Sequence, residues 1–297
     1  MRTSLQEIKM QFGGASALYR LLALNIGLFL LITIARTIFF LAGADTLQFE
    51  YYISKLSLPA SLNELLYQPW AILTYMFLHV DILHILFNML VLYWTGKLFT
   101  EYLGNEKLWA TYVLGALSGA AVYLLAFNLF PAFDGKVASS HLLGASAGVI
   151  AVLVAIATLL PDYTVHLLIF GAVRLKYIAL ISILLYFISI PLGNAGGHIA
   201  HLGGAVFGFL MVRQLRNGRD LTGWLTAIGR KRTGGKTHLK VVRRGRTAGD
   251  DGYSNDSISH QELIDKILDK INKSGFDSLT KEEKQILYKA SGNQDNP

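Results

Sequence analysis

"LLGASAGVIAVLVAIATLL", residues 142–160, runs for nineteen residues without a single charge. About 20 apolar residues in a helix cover the roughly 30 Å of hydrocarbon in a bilayer, so the stretch reads as a membrane span. It also carries a lone hydroxyl, Ser146, walled in by Gly144, Ala145, Ala147 and Gly148. Five further apolar stretches, near 19–42, 82–99, 108–130, 167–191 and 198–215, have comparable length. The 297-residue chain is 53% hydrophobic and 16% charged, with a mean hydropathy of +0.42. These features predict an all-α, polytopic membrane protein with a bundle of six transmembrane helices.

Charge placement orients the bundle. Eleven Lys or Arg against one acid, Asp220, lie between Arg213 and Arg246, and the N-terminal segment carries Arg2, Lys9 and Arg20. The loop after that span holds Asp45, Glu50 and Glu64 with a single Lys55. The positive-inside bias then puts both termini in the cytoplasm. A juxtamembrane basic segment beside anionic lipid accounts for the positive stretch, so no nucleic-acid partner is expected. The chain divides into a cytoplasmic head at 1–16, a membrane domain at 17–215, a basic flexible linker at 216–253 and a small cytoplasmic helical hairpin at 254–297. In the last of these, Leu263, Ile264, Ile267, Leu268 and Ile271 recur at helical spacing. Ser278 or Thr280 can cap a second helix there, with Glu282 and Glu283 in its first turn. Such a hairpin suits docking to a cytoplasmic partner. The aromatic, proline-broken segment at 44–80 suits the membrane interface.

Polar groups inside a bilayer are costly and point to function. With both termini inside, Ser146 at the start of the fourth span, His201 at the start of the sixth, and His84 and Asn88 at the start of the second fall at one depth below the outer face. A serine hydroxyl needs a base at hydrogen-bond distance to act as a nucleophile. Gly204 and Gly208 follow His201 at i+3 and i+7, and Gly144, Ala147 and Ala151 form a matching small-residue stripe on the fourth span. Two such stripes let helices pack backbone to backbone, which brings Ser146 to His201. The small residues that follow favour His201 over His198 as the base. No embedded carboxylate lies at that depth, so the expected unit is a dyad. His84 and Asn88, at i and i+4, share a helix face and can point two donors at a developing oxyanion. With no cysteine and no H-E-x-x-H, neither a cofactor nor a metal is expected.

"HVDILHILFNMLVLYWTG" (79–96), "GASAG" (144–148) and "AHLGGAVFG" (200–208) resemble the signature segments of the rhomboid intramembrane serine proteases. The resemblance implies Ser146 as nucleophile, His201 as general base and then acid, and His84, Asn88 and the Ser146 amide as the oxyanion site. It implies an endopeptidase that cleaves membrane-protein substrates in or near a transmembrane segment, in the lipid bilayer, with the fifth span beside the substrate's path. A bacterial inner membrane is the expected location. The chain departs from many members at Trp70-Ala71, where Trp-Arg is common, at Glu101, one position late, and at Ala147, where glycine is common. A catalytically inactive relative that escorts membrane helices is the alternative reading.

Overall fold

The structure is a computed structural model that describes residues 16–167 and 171–227, together with 267, 269–271, 278–280, 282–283 and 286–287 in the C-terminal part. The chain forms two compact units, Met1–Lys236 and Thr237–Pro297. The first is helical, and five of its helices are long and apolar enough to cross a membrane.

Helix α1 (Ala17–Leu41) is followed by a run of short elements: α2 (Thr46–Leu56), strand β1 (Leu58–Pro59), α3 (Leu62–Tyr67), α4 (Ala71–Thr74) and a 3-10 turn at Tyr75–Phe77. Asp45 and Ser61 cap α2 and α3 by accepting from the Leu47 and Glu64 amides. Helices α5 (Ile82–Leu103) and α6 (Asn105–Leu129) come next, separated only by Gly104 at φ +84°, a conformation that suits glycine. Strand β2 (His141–Leu142) leads into α7 (Ser146–Leu159), then β3 (Thr164–Leu167), β4 (Gly171–Arg174), α8 (Leu175–Ser189) and α9 (Ala195–Arg216).

Two expectations change here. Helix α7 has only 14 residues, about 21 Å at 1.5 Å per residue, and is too short to span hydrocarbon alone. Eleven of those residues are buried in protein, so this helix has little need to match the lipid thickness. The apolar run beginning at 167 is not helical at first: β3 and β4 pair antiparallel, Val165 opposite Val173, and α8 starts only at Leu175. Short apolar runs do not distinguish strand from helix by hydropathy, and Gly171 at φ +66° permits the return of the chain.

The centre of the bundle is α7, gripped between α6 and α9. A Cβ on Gly204 would run into the Ala147 carbonyl, one on Gly208 into the Ala151 carbonyl, and one on Gly115 of α6 into the Ala151 side chain. Ser118 Oγ donates to the Gly203 carbonyl at 2.9 Å, tying α6 to α9. Lipid offers no hydrophobic drive between helices, so close backbone approach and dispersion contacts hold such a core together. Helix α8 is different: only Leu175 and Ala179 are buried, while Leu180, Ile181, Leu184, Leu185, Phe187 and Ile188 are exposed.

The stretch after α9 is not an unstructured linker in its described part. Asp220 pairs with Lys107 and accepts from Thr222, which is fully buried. Burial pushes the Asp220 carboxyl up, but the hydrogen bonds from Lys107 and Thr222 outweigh it and hold it below the usual range. The rest of the expected linker, 228–253, lies outside the described residues. In the second unit, Thr280 N–H donates to Glu283 Oε2 at 2.8 Å and Glu283 N–H donates back to Thr280 Oγ1 at 3.3 Å, the reciprocal pattern of a helix start. Lys270 Nζ meets the same carboxylate at 2.9 Å. Most of the expected hairpin at 254–297 falls on residues outside the description.

Candidate active site

Ser146 is the first residue of α7, a turn earlier in its helix than the apolar run alone implies. The loop that delivers it is fixed from the side of the interfacial segment. Leu58 pairs with Leu142, the Gly144 amide donates to the Tyr75 carbonyl at 2.9 Å, and the Ala145 amide points at His79 Nε2 at 3.5 Å. Tyr75 in turn donates its hydroxyl to the Ala116 carbonyl of α6 at 2.6 Å, so the loop is referenced to the bundle's core. Gly144 stands at φ +129°, where a side chain would be strained, and a Cβ there would lie 2.8 Å from His84 Cε1 and 3.7 Å from Ser146 Oγ. Gly144 therefore belongs to the loop and makes room for His84. It is not part of the helix-packing stripe, whose α7 members are Ala147 and Ala151.

His201 sits two turns into α9, and its Nε2 lies 2.6 Å from Ser146 Oγ. With the ring neutral and its proton on Nδ1, the hydroxyl donates to Nε2. The two groups are 55 residues apart in sequence, and what joins them is the close approach of α7 and α9 at Gly204 and Gly208. Both side chains are partly exposed. Among the described residues His201 Nδ1 has no hydrogen-bond partner, so no carboxylate orients the imidazole. Asp81 is engaged elsewhere: it caps α5, accepting from the His84 amide at 2.8 Å.

His84 lies beside Gly144 and Ser146, as the Gly144 geometry indicates. The Asn88 amide nitrogen donates to the His84 carbonyl at 2.8 Å, which leaves its second N–H available. His198 is near but not in hydrogen-bond contact, its ring centroid 6.0 Å from that of His201. Two side chains without an assigned role in the sequence complete the site. His79 is fully buried, with its ring 5.1 Å from that of His84 and its Nε2 facing the nucleophile loop. Tyr186 of α8 sets its ring 4.3 Å from that of His201 at 62°. A histidine five residues before His84, in the turn ahead of its helix, is a legible signal only in retrospect, and an aromatic in an apolar helix carries none.

The profile of the Rhomboid domain matches residues 67–217, half of the chain, and encloses Ser146, His201, His84 and Asn88. The chain belongs to the rhomboid family. Among its relatives are the RHOMBOID-like protein 12, mitochondrial, of Arabidopsis thaliana, 31% identical over 157 residues, and the Presenilin-associated rhomboid-like protein A, mitochondrial, of Danio rerio, 30% identical over 139. The matched parts are 50% and 44% of this rhomboid chain, and 47% and 34% of those two proteins, so the chain spans half or less of the curated relatives it matches. Both relatives are named as mitochondrial, which removes support from a bacterial inner membrane. Residues 249–293 match a family of unknown function, DUF6576.

Proposed function

We propose that this rhomboid protein is an intramembrane serine endopeptidase that cleaves other membrane proteins in or near a transmembrane helix. The observation that carries the reading is the 2.6 Å contact between Ser146 Oγ and His201 Nε2. A hydroxyl and an imidazole at that distance, at the end of a helix packed glycine to carbonyl, have the geometry of an activated nucleophile.

As Ser146 Oγ attacks a peptide carbonyl, its proton passes to His201 Nε2, the Oγ–C bond forms, and the carbonyl π pair moves onto oxygen. When the carbonyl re-forms, the C–N bond breaks and the leaving nitrogen takes the proton back from His201. Water then repeats the sequence on the Ser146 ester and releases the acid. The oxyanion has candidate donors in the Ser146 amide, His84 and the free N–H of Asn88. As the first helical residue, Ser146 has an amide that no intrahelical carbonyl uses, at the positive end of the α7 dipole. Substrates with helix-breaking or small residues near the cut fit best, because a carbonyl already bonded within a helix is poorly exposed to attack.

The same reading makes the short α7 a sixth crossing element alongside the five long helices, with both termini on the cytoplasmic side, the 44–80 segment at the outer interface and the C-terminal hairpin free to meet a cytoplasmic partner. Cleavage of a single-span model substrate by the full chain in liposomes tests it. Ser146→Ala and His201→Ala should each reduce cleavage to background while the protein stays folded. Asn88→Ala should lower turnover by roughly a hundredfold, the lower end of what one oxyanion donor contributes. A folded wild type that binds the substrate helix but never cuts it would instead support the escort reading.

A further inference from the structure

His201 has hydrogen-bond support on one side only. Its Nε2 meets Ser146, its Nδ1 has no partner among the described residues, and yet the ring must stay in line with the hydroxyl. The other large contact on the ring comes from α8. Ala179, Ile183 and Tyr186 recur every three or four residues and form the inward face of that helix, and Ile183 and Tyr186 pack on the buried core, as does Ile190 just beyond its end. Tyr186 is the one aromatic on this face, and its ring lies 4.3 Å from that of His201 at 62° and 6.1 Å from that of His198. A tilted aromatic pair at this separation is a favoured geometry with a definite orientation.

We propose that Tyr186 is the positioning residue for the base. This rests on the proteolytic reading above. The ring holds the imidazole in the rotamer that meets Ser146, in place of the carboxylate that a triad would use. In this arrangement the tyrosine is taken to present its face to the imidazole, which becomes a cation when it takes the serine proton, and a cation over the face of an aromatic ring is attracted by the ring's quadrupole. The interaction is therefore stronger at the transition state than in the resting dyad, which is the condition for raising turnover rather than substrate affinity. Both effects belong to the ring and neither needs the hydroxyl. Since α8 buries little else, displacing it would withdraw the ring and leave the base unsupported.

The test compares Tyr186→Leu and Tyr186→Phe with wild type and Ser146→Ala, using the full chain in liposomes and a single-span model substrate. A fluorophosphonate serves as a second, substrate-independent probe of the nucleophile. Tyr186→Leu should lower kcat roughly five- to thirtyfold with KM within about twofold, and slow fluorophosphonate inactivation in parallel. Tyr186→Phe should stay within about twofold of wild type in both assays. Leucine keeps apolar bulk at the site, and equal thermal midpoints for the two variants exclude unfolding as the cause. Wild-type kcat in Tyr186→Leu, a change confined to KM, or equal losses in the leucine and phenylalanine variants would overturn the proposal. If Ser146→Ala cleaves as well as wild type, the proteolytic reading fails and this one with it. If Ser146→Ala is inactive and Tyr186→Leu is not impaired, this inference alone fails.

Discussion

Helices α7 and α8 are neighbours of nearly equal length, 14 and 15 residues, with opposite surroundings. Eleven residues of α7 are buried, against two of α8. The first is locked by small residues: Ala147 and Ala151 meet Gly204 and Gly208 on one side, and Gly115 and Gly119 on the other. The second presents leucine, isoleucine and phenylalanine side chains outward and touches the site through Tyr186. The difference separates two jobs. A nucleophile and a base drawn from distant parts of the chain need a rigid frame to meet at 2.6 Å, whereas the helix beside them needs only to keep one ring in place.

The comparison breaks most severely at the frame. Gly204→Val should place branched carbon against the Ala147 carbonyl and force α7 and α9 apart, costing more than about 3 kcal/mol and abolishing cleavage. Thermal unfolding in detergent and a cleavage assay would check both parts. A smaller loss of stability is expected at the nucleophile loop: Gly144→Ala strains a φ of +129° and crowds His84, at about 1–3 kcal/mol, with a fall in kcat larger than that loss explains. On the lipid-facing side of α8, Leu184→Ala should change stability by no more than about 0.5 kcal/mol and leave kcat unchanged. A large effect there would mean that α8 is held as firmly as α7.

The smallest effect is electrostatic and lies ahead of α8. Asp162 accepts from Lys176 at 2.7 Å and Arg174 at 3.2 Å, and the Lys176 hydrogen bond and charge hold its carboxyl below the usual range. A carboxyl lowered in the native state stabilises the fold above its unfolded value, and that contribution fades as pH falls through the native value. The thermal midpoint of wild type relative to Asp162→Asn should therefore be slightly higher near neutrality, with the gap closing under strongly acidic conditions. The gap should also shrink with added salt, since the group is exposed.

Much of the frame was readable in the sequence because its signals are compositional. Long apolar runs gave the positions of α1, α5, α6 and α9 to within a few residues, and glycine at i+3 and i+7 from His201 pointed to the α7–α9 contact. What stayed hidden depended on context. The hairpin at 164–174 has the same hydropathy as the start of a span, and only pairing of Val165 with Val173 reveals it. The shortness of α7 goes with its burial by α6, whose Gly115 and Gly119 form a Gly-x-x-x-Gly that does not by itself name the helix it packs against. The support of the nucleophile loop by Tyr75 and His79 arises from a turn geometry that composition does not encode. Ser146, His201, His84 and Asn88 were legible because polar atoms inside a membrane are expensive, while Tyr186 was not, since an aromatic there costs little.

The meeting of Ser146 and His201 is the claim on which the rest depends, and labelling of the full chain in liposomes by a fluorophosphonate tests it most directly. The wild type should take up the probe at one residue, identified as Ser146 by peptide mass. Ser146→Ala should take up none, and folded His201→Ala should label at a rate reduced by orders of magnitude. Labelling that persists without the Ser146 hydroxyl, or proceeds at full rate without the His201 imidazole, would contradict the account.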